Sequence, residues 1–267
     1  MSATHPGSPV RIQGLCKSFP SASGVPVAAL RDASLTIHPG ELFGVAGVPG
    51  AGKTTLLRLL QLLDTPDQGS VQVAGADLTQ LSAAALRVAR LNIGVVFQQP
   101  HLLQHASVAD NVALPLRFAG LLNAPRLAAR VHESLDLVGL GDLAGAAPGQ
   151  LTNTQQRRVA LARALAGRPG LLLYDEPEGG ADSLASLSAI LHSVNVRFGT
   201  TMVVASRSAQ LLGSLCTRVA VLEGGALAEQ FALAATQAPP RTALGRELAY
   251  HASEGILYTA WDGVAHV

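Results

Sequence analysis

Two short stretches hold residues whose types and order could do chemistry. The first is Gly47-Val48-Pro49-Gly50-Ala51-Gly52-Lys53-Thr54, which fits the pattern G-x-x-x-x-G-K-[ST]. Glycines let a backbone wrap close around phosphates, where a Cβ would collide. Consecutive N–H groups then point inward as an anion nest, and the start of a following helix adds partial positive charge. Lys53 is the cation that would neutralise the β- and γ-phosphates of a nucleoside triphosphate. The Thr54 hydroxyl is a ligand for Mg²⁺, and Thr55 supports the nest. A chance glycine-rich turn is the competing reading, and the strand-like run before it and the helical period after it speak against that. The second stretch is Leu171-Leu172-Leu173-Tyr174-Asp175-Glu176, an apolar run ending in two carboxylates. Strand tips in open sheets border the ligand crevice. Asp175 is suited to hold Mg²⁺ through water, and Glu176 to take a proton from an attacking water. Alone, the pair reads as the solvated end of a core strand; beside a phosphate loop the chemical reading prevails.

Strands and helices must bring these two stretches together. Alternation and apolar runs predict strands at 10–15, 27–37, 41–46, 70–74 and 93–97, with helices at 54–63 and 83–90. From 102 to 167 the segments are helix-like, broken at 120–125 and 139–149. Strand at 171–174, helix at 183–198 and strand at 200–205 follow. A terminal hairpin, 218–222 with 226–230, turns at Gly224-Gly225. The alternation implies an α/β fold: a parallel sheet with helices on both faces, and an inserted helical subdomain. Beyond Pro239-Pro240 the tail has no placement from pattern alone.

Composition narrows the partners. Lysines and arginines number 19 against 18 acidic residues, so no single-sign field argues for nucleic acid or an anionic membrane surface. Only Lys17 and Lys53 are lysines, which makes the retention of one inside the glycine loop more telling. Cys16 and Cys216 lie in apolar, strand-like stretches and read as core thiols rather than a disulfide. The first nine residues carry no basic-then-apolar leader pattern, and no apolar run is long enough to span a bilayer. A soluble, cytoplasmic chain is therefore expected. Mean hydropathy is nonetheless +0.31, which a buried partner interface or simple alanine richness would explain. His101 and His105 follow Pro100 in an expected loop and read as solvated, not as a metal pair. Arg157 and Arg158 read as a solvated helix face.

Taken together, these stretches resemble the ATP-binding subunits of ABC transporters, from about residue 10 to 230. The resemblance implies a P-loop NTPase (RecA-like) core with an antiparallel β subdomain and an inserted helical subdomain. It implies an ATP-binding domain over 8–240, with the helical part at about 102–168 and an unassigned tail at 241–267. The glycine loop is then the Walker A element, and the strand ending in Asp175-Glu176 the Walker B element. Phe19 matches the aromatic that stacks on adenine. Gln98, after Ile93-Gly94-Val95-Val96-Phe97, matches the Q-loop glutamine, which reaches the metal and the water and senses the membrane subunit. Asp182, in Gly179-Gly180-Ala181-Asp182, matches the D-loop aspartate. The implied ligands are ATP and Mg²⁺. The implied partners are transmembrane permease subunits and a second ATP-binding subunit, a copy or a paralogue, at the cytoplasmic face of the cell membrane.

Within the family, Gly44-Val45-Ala46-Gly47, Leu62-Leu63-Asp64, Gly94-Val95-Val96-Phe97-Gln98, Asn111-Val112-Ala113-Leu114-Pro115-Leu116 and Val138-Gly139-Leu140-Gly141-Asp142 resemble methionine importers. Those usually carry a further C-terminal ligand-sensing domain, for which this sequence leaves no room.

Two elements depart from the family pattern. The signature Leu-Ser-Gly-Gly-Gln falls on Leu151-Thr152-Asn153-Thr154-Gln155, so both glycines are replaced. In the family that segment meets the γ-phosphate held by the opposite subunit, and side chains at 153 and 154 obstruct it. Thr152 or Thr154 as a plain cap of the following helix is the alternative. The switch histidine is replaced by Arg207. Arginine is a permanent cation that reaches phosphate but accepts no hydrogen bond; a surface arginine paired with a carboxylate is the alternative. A transport ATPase is the leading function. A nucleotide-binding regulatory subunit beside an intact paralogue is the second, and a soluble ABC protein of repair or translation the third.

Overall fold

The computed structural model describes residues 7–21, 24–120, 122–177, 184–234 and 239–261. The chain opens with β1 (Val10–Phe19) and β2 (Val27–Ile37), an antiparallel pair. Next come β3 (Leu42–Ala46), α1 (Lys53–Leu59), β4 (Gln68–Val73) and β5 (Ala76–Asp77). After α2 (Ala83–Arg90) and β6 (Ile93–Val96) comes a helical block: α3 (Val108–Ala119), α4 (Ala124–Leu137) and α5 (Asn153–Leu165). The chain returns to alternation with β7 (Leu171–Asp175), α6 (Leu184–Phe198), β8 (Thr201–Ser206) and α7 (Ala209–Leu215). It closes with β9 (Arg218–Glu223), β10 (Ala226–Ala232) and α8 (Ala243–Trp261).

Two sheets result. One is antiparallel, in the order β2-β1-β4-β5; the other runs β10-β9-β3-β8-β7-β6. In the second, β9, β3, β8, β7 and β6 are parallel neighbours and only β10 is antiparallel. Its central strands β3, β7 and β8 are buried along their whole length and mostly apolar because both faces are covered. The period of two sorts their side chains. Leu171, Leu173, Val203 and Ala205 join α1 and the antiparallel sheet. Leu172, Tyr174, Met202 and Val204 join the helical block with α6, α7 and α8.

Helix starts follow local chemistry. Ser82, Ser107, Asn123, Thr152 and Ser208 each accept a backbone N–H from the first turn of the helix they precede. In α4 the apolar positions Val131 and Leu135, with Val138 just beyond, recur at helical spacing and are buried. Leu135→Ala should cost about 2–5 kcal/mol through the cavity it leaves, read as a lower urea midpoint at unchanged slope. An unchanged midpoint would mean that α4 does not depend on this contact.

The tail without a placement from pattern forms α8. Its Leu248 and Ala252 are buried in the same cluster as α7. The Glu229 carboxylate on β10 accepts the backbone N–H groups of Arg241 and Thr242 and the Thr242 hydroxyl, just before α8 begins. Burial pushes the Glu229 carboxyl up, but these hydrogen bonds outweigh it and hold the group below the usual carboxylate range. The stability it contributes is therefore present above the unfolded pKa and is lost as pH falls through the folded one.

Two local expectations need correction. Cys216 ends α7 instead of lying in a strand, and its thiol is buried and pushed up by desolvation. Cys16 does lie in a strand, and its sulfur accepts the Asp32 N–H. Arg158 is half-buried, not a plain solvated face: it donates to the Val138 carbonyl at 3.2 Å and to Ser186 Oγ at 3.0 Å, tying α5 to α6.

Candidate nucleotide site

The phosphate loop spans the gap between β3 and α1. At Gly52 φ is 104°, and a Cβ there would stand 2.3 Å from the Ala29 carbonyl oxygen, so only glycine fits. Lys53 opens α1 and is 5% exposed. Its ammonium donates to the Gly47 carbonyl at 2.7 Å and pairs with Glu176 Oε1 at 2.9 Å. Thr54 Oγ1 donates to Asp175 Oδ2 at 2.8 Å. The two stretches that the sequence holds over a hundred residues apart thus meet side chain to side chain.

Sheet order explains the meeting. β3 and β7 flank β8 in the parallel sheet, so all three C-terminal ends face the same crevice. Glu176 sits one residue past β7 with φ 44°, an uncommon left-handed backbone for a side-chain-bearing residue. Its N–H is fixed on the Ala205 carbonyl of β8 at 2.8 Å. That turn points the carboxylate back at Lys53. Strain at such a position is typical of functional sites.

A cleft of ≈ 350 Å³ opens above the loop, with Lys53, Thr54, Thr55, Gln98, Glu176 and Arg207 on its walls. Gln98 follows β6 and Arg207 follows β8, so both come from strand ends on the same side. Ala29, from the antiparallel sheet, completes the lining. It is apolar and in a strand, and no sequence signal marks it. Among the described residues Phe19 is not part of this lining; it ends β1, is 37% exposed, and Lys17 Nζ stands 5.4 Å from its ring. Asp182 lies outside the described residues.

The signature position is a closed cap. Gln155 N–H donates to Thr152 Oγ1 at 3.3 Å, and the Thr152 N–H donates to Gln155 Oε1 at 2.9 Å. Thr152 and Gln155 thus satisfy each other at the start of α5, as the capping alternative holds. Asn153 and Thr154 form its first turn.

A second groove, of ≈ 570 Å³, lies between β6 and the helical block. Phe97, Leu114 and Phe118 give it an apolar floor. Among the described residues its charged lining is Arg90, Arg130 and Arg163. Arg163 donates to the carbonyls of Pro100 and His101 at 2.7 and 2.9 Å, and burial pushes its guanidinium down. This groove and the loop that follows Gln98 are therefore one connected piece. Among the described residues, no helix is long and apolar enough to cross a membrane.

A parallel sheet with a glycine loop and an acidic strand tip in one crevice defines a P-loop nucleotide-binding cassette. A family model described as ABC transporter matches residues 30–179, over half of the chain. This chain belongs to the ABC transporter family and is one of its ATP-binding ATPase subunits. It is 43% identical over 241 residues to the methionine import ATP-binding protein MetN 2 of Yersinia pestis, covering 90% of this chain and 73% of that one. It is 46% identical over 222 residues to MetN of Cupriavidus necator, covering 82% and 64%. Among solved structures, the ATP-binding cassette MJ0796, a dimer in a post-hydrolysis state with ADP and Pi, superposes with a TM-score of 0.78 at 30% identity. That match covers 84% of this chain and 98% of the other.

Proposed function

We propose that this chain is the ATP-binding subunit of a methionine importer, placed on the cytoplasmic face of the membrane and bound to permease subunits. The 43% identity to a methionine-import ATP-binding protein, sustained over 90% of the chain, carries this reading. Transport of labelled methionine into vesicles holding this chain and its permease tests it. Uptake that needs ATP inside is expected; uptake unchanged when the chain is left out would refute it.

The site's own residues divide the work. The loop's N–H groups and Lys53 hold the phosphates. Thr54 and Asp175, already 2.8 Å apart, offer the hydroxyl and carboxylate oxygens that a hard cation such as Mg²⁺ takes, and Gln98 adds an amide oxygen. Bound there, the ion would offset negative charge on the phosphate oxygens. Glu176 accepts the proton of the attacking water while the water oxygen bonds to the γ-phosphorus and the bond from that phosphorus to the β,γ-bridging oxygen breaks, so that ADP and phosphate leave. Without nucleotide that carboxylate is engaged by Lys53. Phosphates that draw Lys53 away release it for this task.

The second groove is where the permease docks. Its apolar floor suits the apolar face of a helical segment of the permease. Its link through Arg163 to the loop after Gln98 gives the docked segment a path to the nucleotide.

A second ATP-binding subunit closes the cassette, as in the dimeric MJ0796. Here Asn153 and Thr154 place side chains where that closure needs bare backbone, and Arg207 replaces the relay histidine. Slow turnover by the chain alone and weak dimerisation on ATP follow. Glycine at 153 and 154 with serine at 152 should strengthen ATP-driven dimerisation, and Arg207→His on top should raise phosphate release. One well-placed transition-state donor is worth roughly 3 kcal/mol, about a hundredfold in rate. The two changes act on one phosphate and need not add. Size-exclusion chromatography with ATP and steady-state phosphate release read both. A tight ATP dimer before any change would remove the premise.

A further inference from the structure

The position of Arg207 depends on α7, which starts two residues later. Ser206 Oγ accepts the Ser208 N–H at 2.8 Å, and Ser208 Oγ in turn accepts the Leu211 N–H at 3.2 Å. The arginine is thereby fastened to the first turn of α7. Yet α7 has only seven residues, too few to persist unsupported. One side of it, with Leu211 and Leu212, is buried in the core. Its other support is α8. At Gly213 the two helices approach so closely that a Cβ would stand 2.9 Å from His251 Cβ and 3.1 Å from the Ala252 N. Leu248 and Ala252 complete the contact. At the far end, α8 is fastened to β10 by Glu229.

We infer that α8 is a strut that sets the place of Arg207: Gly213 and Glu229 are positioning residues for the guanidinium over the terminal phosphate of ATP. The inference rests on Arg207 facing that phosphate, as proposed above. It goes further in joining the C-terminal helix, which touches no nucleotide, to discrimination between ATP and ADP. Arg207 is a cation that meets the γ-phosphate of ATP and has no such partner in ADP. Displacing it lowers the preference for ATP without removing the phosphate loop.

The measurement is the ratio of ATP to ADP affinity for the full chain, by fluorescent-analogue titration, which needs no turnover and no permease. Arg207→Ala is expected to reduce the ratio about tenfold, the worth of one charge-assisted hydrogen bond. Gly213→Leu, which drives α8 off α7, should reduce it comparably, with faster amide exchange across 208–216. Glu229→Gln, a milder change at the far end, should reduce it in the same direction if the larger variant does not fold. In the Arg207→Ala background neither variant should change the ratio further, because a helix that acts through Arg207 has nothing left to position. A ratio lowered by Arg207→Ala but untouched by both α8 variants overturns the strut. So does an equal further loss in the Arg207→Ala background. An unchanged ratio in Arg207→Ala itself overturns both the strut and the placement of Arg207, and leaves the transport assignment to the vesicle assay.

Discussion

Lys53→Ala should abolish nucleotide binding. Two effects combine. The variant removes the buried cation that meets the phosphates, a charge-assisted contact worth about 1.5–3 kcal/mol. It also leaves the Glu176 carboxylate, whose side chain is only 14% exposed, without the ammonium now 2.9 Å away. With the ammonium gone, the negative charge of that carboxylate repels the incoming phosphates. Titration with a fluorescent ATP analogue should therefore show an affinity weaker by a hundredfold or more, on the order of these energies. Adding Glu176→Gln to Lys53→Ala should restore part of the loss. Wild-type affinity in the single variant would contradict the assignment of the loop.

Glu176→Gln alone should do the opposite to affinity and far more to rate. A glutamine accepts no proton from water, and general-base catalysis is worth about 10²–10⁴ in rate. Nucleotide binding should be retained or tightened, since Lys53 no longer has a carboxylate to leave. Single-turnover phosphate release with the permease present, beside the same titration, separates the two quantities. Parent-rate hydrolysis would mean that another group takes the proton.

Both variants act on a site whose parts are visible in the sequence for a physical reason. A phosphate nest demands glycines, a lysine and a hydroxyl in fixed order, so 47–54 is readable without a fold. Asp175-Glu176 is readable because an apolar strand ends on two charges. The parallel strands were legible too: they are continuous apolar runs, and 27–37 matches β2 at both ends. Less was legible where tertiary contact decides. α1 stops at Leu59, short of the periodic run that predicts helix to 63. Leu62 there has φ 51°, and Arg90 donates to the carbonyls of Gln61 and Leu62. The missed α7 is short, and the missed α8 takes its support from Glu229 in β10 and Gly213 in α7, both remote in sequence. The engagement of Glu176 by Lys53 was not legible either, because it needs the left-handed turn after β7.

The central claim is that this cleft hydrolyses ATP on behalf of a membrane partner. Steady-state phosphate release by the purified chain, alone and then with its permease in vesicles, tests it most directly. The expected result is slow release alone, raised by the permease and removed by Glu176→Gln in both settings. Release that is brisk alone and indifferent to the permease would contradict it, as would none in either setting.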